Sequence, residues 1–88
     1  MKMIIAIIND EDSDAVTHAL TNANYRVTTV ASTGGFLRRG LSTLICALED
    51  EKLPDALSVI RSQYPPVKED TQKRCSLFVL NVAEYHHF

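Results

Sequence analysis

The hydrophobic and polar positions of the chain follow two periods, one typical of strands and one typical of helices. Residues 3–8 form a continuous, mostly β-branched apolar run, which predicts a strand that is central in its sheet or covered on both faces. Residues 25–32 alternate between apolar and polar side chains and predict a second strand. Residues 42–48 and 75–82 have strand length and composition as well. The pattern therefore predicts four strands.

Two segments between these strands have helical spacing and acidic starts. The first begins in an acidic cluster, where Asp12 or Ser13 can cap the helix and carboxylates suit its positive end, and it ends by Asn24. The second begins at residues 49–52 and tolerates Pro54 in its first turn. The resulting order is βαββαβ. This order predicts an α+β, ferredoxin-like fold with a four-stranded antiparallel sheet and both helices on one face.

Length and composition limit the class of protein. The 88 residues allow one domain, residues 1–88, and 45% hydrophobic with 23% charged residues excludes a disordered chain. No run approaches the ~18 apolar residues that span a bilayer, so we expect a cytoplasmic protein without membrane contact. Cys46 and Cys75 lack metal or redox spacing, and we expect both to be buried.

The charges and glycines concentrate in one region. Between Ala15 and Leu48 there is no acidic residue, but there are three arginines and all three glycines of the chain. A locally cationic, glycine-rich segment of this size is suited to a small anion and is too small for a nucleic-acid polymer.

The segment from Thr33 to Gly40 is the predicted glycine loop between the second and third strands. The consecutive backbone amides of Gly34 and Gly35 can hold a phosphate oxygen. The aromatic ring of Phe36 can cover a base. We expect Arg26 and Thr28 to lie on the same face of the preceding strand, close to the loop. The candidate ligand-binding residues on these grounds are Arg26, Thr28, Thr33, Gly34, Gly35, Phe36 and Leu37. The alternative interpretation is a plain hairpin turn beside solvated arginines.

Several segments together resemble the PII-like cyclic-di-AMP receptors. They are residues 1–7, 24–28, 32–40 and 77–82 with the final YHHF, and the most specific is TGGFLR with its upstream Arg-x-Thr. The resemblance implies a ferredoxin-like subunit, a PII-like homotrimer and cyclic-di-AMP bound in clefts between subunits. It also implies contacts from the loop and the Arg-x-Thr pair, with Asn24 as a polar residue nearby.

The chain departs from the family pattern at several positions. Leu41 replaces an asparagine, Ala47 a glycine and His87 a glutamine, and the connection 63–74 is shorter than its counterpart. Two hypotheses follow. The first is a non-enzymatic sensor that binds a small nucleotide and relays this by loop ordering to an unknown protein partner. The alternative is a PII-like structural or interaction trimer with altered or lost nucleotide binding.

Other chemistry is not indicated. Asp10, Asp12 and Asp14 have the spacing that opens a calcium loop, but Ala15 and Thr21 stand where the required glycine and glutamate belong. The three histidines lack ligand partners at a useful spacing. Neither a nucleophile with its base nor an acylphosphatase signature is recognisable. We therefore expect no enzyme activity, no metal and no cofactor.

Overall fold

The computed structural model describes residues 1–30, 40–64, 75–86 and 88. Their elements run in the order β1, α1, β2, β3, α2, β4, with a short 3₁₀ turn before α2. The bounds are β1 Lys2–Asn9, α1 Asp10–Asn22, β2 Thr28–Val30, β3 Leu41–Leu48, the 3₁₀ turn Asp50–Lys52, α2 Leu53–Arg61 and β4 Cys75–Asn81.

The strands form one antiparallel sheet in the order β2-β3-β1-β4. The apolar strand β1 lies in the middle, paired with β3 from Lys2↔Leu48 to Asn9↔Leu41 and with β4 on its other side. The ferredoxin-like α+β prediction is confirmed, as is the central place of β1. The short connection between the second and third strands predicted that they pair antiparallel, and β2 and β3 do so.

One face of the sheet and the two helices enclose the core. Alternate residues of β1 and β3 point to the helices, because successive side chains of a strand lie on opposite faces. The buried hydrophobic residues are Ile4, Ala6, Ile8, Val16, Leu20, Leu44, Cys46, Leu48, Ala56 and Ile60. Both helices contribute to this one cluster, so they lie on the same face, as predicted.

The opposite face of the sheet, here called the open face, has no helix on it among the described residues. Ile5 lies at its centre, between Ile45 of β3 and Phe78 of β4. Phe78 is 53% exposed, and Leu80 and Val30 on the same face are 43% and 42% exposed. Within one described chain the apolar run of β1 is therefore covered on one face only.

The start of α1 differs from the prediction. The helix begins at Asp10, after an extended Asn9 whose side chain does not cap it, so neither Asp12 nor Ser13 is the cap. Ser13 instead faces the core, where it is 8% exposed, while Ala15 is exposed. The helix begins earlier because β1 runs directly into it. The predicted acidic first turn is confirmed.

The start of β2 was also predicted wrongly. The strand begins at Thr28, not Tyr25, because residues 24 and 25 complete the end of α1. Asn24 has φ of 70°, its N–H donates to the carbonyl of Thr21 at 3.0 Å, and the Tyr25 N–H donates to that of Leu20 at 3.0 Å. This bond pair with a left-handed residue is the Schellman motif of helix ends.

Two smaller predictions have mixed outcomes. Pro54 does lie in the first turn of α2, but residues 50–52 form a separate 3₁₀ turn instead of its beginning. Cys46 is buried as expected, whereas Cys75, at the start of an edge strand, is only half-buried. Burial raises the pKa of both thiols.

Candidate functional site

Arg26 and Thr28 lie beside each other on the exposed side of the chain that enters β2. Thr28 pairs with Ile45, which places it on the open face. Tyr25 and Val27 on either side of Arg26 pack against the core, so the arginine is directed to solvent. Arg26 forms no ion pair with any described residue. Its guanidinium is therefore available to an anion at the edge of the open face.

Asn24 has a structural role in addition to its predicted ligand contact. Its left-handed backbone ends α1, a conformation that asparagine adopts more readily than most residues. The side chain is exposed, two residues before Arg26. The sequence predicted the end of the helix here, and the predicted ligand contact stays a prediction.

The end of the glycine loop is bonded to the start of α1. Gly40 has φ of +88°, and its carbonyl accepts a hydrogen bond of 2.8 Å from the N–H of Asp10. Two residues later the Ser42 hydroxyl donates to the Asp10 carboxylate, and Ser42 is 9% exposed. Asp10 therefore holds the first residues of β3 through both its backbone and its side chain. The sequence placed Asp10 in the acidic cluster and in a failed calcium-loop spacing, and it gave no sign of the pairing with Ser42.

Tyr25 is a second residue that sequence analysis did not assign. Its hydroxyl donates a hydrogen bond of 2.5 Å to Oδ2 of Asp55, in the first turn of α2, and the carbonyl oxygen of Lys52 lies 3.4 Å away. This bond raises the pKa of the Tyr25 phenol to about 12. The pairing joins residues thirty positions apart, and nothing in the sequence pattern indicated it.

The remaining predicted site residues lie outside the described residues, and so does His87. They are Thr33, Gly34, Gly35, Phe36 and Leu37. Their predicted contacts stay predictions.

The comparisons with known proteins decide the family. A family model described as "Cyclic-di-AMP receptor" matches residues 1–77, from the first residue to β4. The chain belongs to the cyclic-di-AMP receptor family. Membership supports a nucleotide-sensing, PII-like role. The family is one of receptors, whose members are typically signalling proteins without enzyme activity.

A solved structure supports the fold of this family member. The chain is similar to a crystal structure of a functionally unknown protein from Pediococcus pentosaceus ATCC 25745, with 26% sequence identity and a TM-score of 0.76. The match covers 99% of this chain and 96% of that one. The two chains therefore share the same kind of fold.

Two of the positions that depart from the family pattern are on the open face. Leu41 pairs with Asn9 at one end of β3, and Ala47 pairs with Met3 near the other end. Leu41 is half-buried and Ala47 exposed. Leu41, where the family resemblance has an asparagine, has no side-chain amide to donate or accept a hydrogen bond, and Ala47, where it has a glycine, adds a methyl group.

The described part of the chain has neither a membrane-spanning helix nor a metal-binding cluster. None of its helices has the length and hydropathy needed to cross a bilayer. Across residues 1–30, 40–64 and 75–86, no group of three or more His, Cys, Asp or Glu side chains could hold a metal ion.

Proposed function

We propose that this protein is a non-enzymatic sensor that assembles as a homotrimer and binds cyclic-di-AMP in clefts between its subunits. The observation that carries the proposal is the place of Arg26 and Thr28, exposed at the edge of the apolar open face. A guanidinium can bind a phosphate through two parallel hydrogen bonds. Family membership supports a cyclic dinucleotide as the ligand.

The open face supports assembly. It presents Ile5, Ile45 and Phe78 side by side on three neighbouring strands, and Phe78 is half exposed in the single chain. A continuous apolar surface of this kind is favoured to leave water, and another copy of the chain offers the same surface. The number of copies, three, comes from the family resemblance. Thr28 lies opposite Ile45, so the candidate site would border the contact between copies.

Light scattering on the purified protein tests the assembly. We expect a mass about three times the subunit mass of 9.8 kDa. Ile45→Asp introduces a charge at the centre of the open face and should yield monomers, because an unpaired buried charge is costly. Thr29→Asp is the matched control, since Thr29 is exposed on the other face of β2 and should keep the assembly intact. A monomeric wild-type protein would contradict the proposal.

The ligand contacts divide into a phosphate end and a base end. Arg26 and Thr28 would bind phosphate oxygens, together with the loop amides and the Thr33 hydroxyl. The apolar loop residues would cover an adenine ring. The proposed ligand-binding residues are Asn24, Arg26, Thr28, Thr33, Gly34, Gly35, Phe36 and Leu37. Binding would order the loop and alter the surface that a protein partner, still unknown, contacts.

Isothermal titration with cyclic-di-AMP, ATP and AMP tests the ligand. We expect cyclic-di-AMP to bind most tightly. Arg26→Ala should weaken binding by roughly ten- to a hundredfold, the effect of losing a charged hydrogen bond. Arg61→Ala, which removes an exposed arginine from the end of α2, should leave affinity unchanged. A confirmed trimer that gives no heat with any of the three nucleotides would eliminate the nucleotide proposal.

The second candidate is an interaction trimer with altered or lost nucleotide binding. The apolar Leu41 and Ala47 on the open face favour it. It predicts normal assembly, no nucleotide-dependent shift in melting temperature, and a protein partner that is lost on Phe36→Ala. In either case we expect no turnover of an acyl phosphate, and turnover well above background would overturn the non-enzymatic assignment.

A further inference from the structure

The segment between α1 and β2 carries two proposed ligand residues but has no strand pairing of its own. β2 begins only at Thr28, so residues 24–27 depend on other contacts for their position. Two backbone hydrogen bonds to the end of α1 hold Asn24 and Tyr25. Beyond them, the side chains of Tyr25 and Val27 pack against the core.

Among residues 24–27, it is the Tyr25 side chain that hydrogen-bonds to a distant element. Its ring packs against the core and its hydroxyl donates to the Asp55 carboxylate at 2.5 Å. A phenol with a pKa near 12 stays protonated at physiological pH and keeps donating. Asp55 belongs to the first turn of α2, which is held by Ala56 and Ile60 in the core. The bond therefore joins the segment to a fixed part of the molecule.

We propose that Tyr25 is a positioning residue for the ligand site. The hydrogen bond from Tyr25 to Asp55 holds the backbone that presents Arg26 to phosphate. This inference rests on the proposed function. Arg26 is the next residue along the chain and has a long side chain with no ion pair to the described residues. The position of the Arg26 backbone is therefore the main constraint on where the guanidinium can reach. A fixed backbone lowers the ordering cost of binding.

The first test measures cyclic-di-AMP affinity. Tyr25→Phe keeps the packed ring and removes only the hydroxyl, and Asp55→Ala removes its acceptor. Each should weaken binding by about three- to tenfold. Asp55→Asn keeps an acceptor oxygen at the same place and should retain most of the affinity. Wild-type affinity in Tyr25→Phe would overturn the proposal.

A double-mutant cycle separates positioning from general stability. If Tyr25 acts through Arg26, then Tyr25→Phe should cause little further loss of affinity in an Arg26→Ala background. If the hydroxyl only stabilises the fold, the melting temperature should fall while affinity in the folded protein stays unchanged. Losses that add in full would overturn the positioning role.

Hydrogen exchange without nucleotide distinguishes failure of this inference from failure of the proposed function. Tyr25→Phe should speed exchange at the amides of residues 24–27 and leave those in the middle of α1 unchanged. Unchanged exchange at residues 24–27 would overturn the inference whether or not nucleotide binds. If Tyr25→Phe speeds exchange at residues 24–27 but the wild-type protein binds no nucleotide, the proposed function and the ligand role of Tyr25 are both contradicted, and only the local contact remains.

Discussion

Replacing Ser42 by alanine tests whether the start of β3 is anchored to α1 as the structure indicates. The Ser42 hydroxyl donates to the Asp10 carboxylate from a position that is 9% exposed. A hydrogen bond to a charged group contributes about 1.5–3 kcal/mol net. Asp10 is exposed, so water can partly replace the lost donor. We therefore expect Ser42→Ala to lower the free energy of unfolding by about 1–2 kcal/mol, near the lower end of that range.

Thermal and urea unfolding measure this effect. For a domain of this size, each 1 kcal/mol corresponds to about 4–8 °C in melting temperature. All variants must be compared at one protein concentration, because the proposed assembly would make melting temperature concentration-dependent. Ser58→Ala is the control, because Ser58 is exposed on α2 and alanine favours helices. Its free energy of unfolding should stay unchanged or rise slightly.

A double-mutant cycle with Asp10→Ala isolates the pair, because alanine removes the acceptor oxygen. Asp10 also interacts with the dipole of α1, and the cycle cancels that contribution because it is present in both arms. The backbone bond from Asp10 to Gly40 remains in every variant. A Ser42→Ala protein as stable as the Ser58→Ala control, or losses that simply add, would refute the anchoring argument.

Three further outcomes are expected. Asn24→Val should destabilise the protein by about 1–2 kcal/mol in urea unfolding, because a β-branched residue resists a φ of 70°, while Asn24→Gly should be near neutral; equal effects would contradict the helix-end role. A thiol reagent should label Cys75 slowly and Cys46 only on unfolding, since Cys46 is 2% exposed; fast labelling of native Cys46 would contradict its burial. The Asp50 carboxylate, hydrogen-bonded to the Met1 amine, has a lowered pKa, so its stabilisation is present above about pH 4 and lost as pH falls further. The difference in stability between wild type and Asp50→Asn should therefore disappear in acid, and a constant difference would show another cause.

Much of the architecture follows from the sequence because it depends on local pattern. The unbroken apolar run of β1 predicted a strand that is central in its sheet or covered on both faces, and the first alternative is the observed one. The helical spacing of Ala56 and Ile60 predicted the buried face of α2. Connection length determined that β2 and β3 are antiparallel. The order of strands and helices then left the ferredoxin-like sheet as the natural arrangement. The end of α1 near Asn24 was also readable, since asparagine accepts the left-handed conformation.

Element starts and side-chain partners could not be predicted in the same way. β2 begins at Thr28 because Tyr25 ends α1 and hydrogen-bonds to Asp55, and the second contact exists only when α1 and α2 pack on the same face. The Asp10 to Ser42 hydrogen bond likewise joins residues that become neighbours only when β1 and β3 pair.

The sequence by itself determined the kinds of elements, their order and the family, because these reside in local periodicity and in short motifs. Only the tertiary structure decided which face of the sheet packs against the helices, where Arg26 and Thr28 lie relative to the open face, and which residues anchor them. The physical reason is that burial and hydrogen bonding between distant residues depend on packing, and packing joins positions that no local pattern relates.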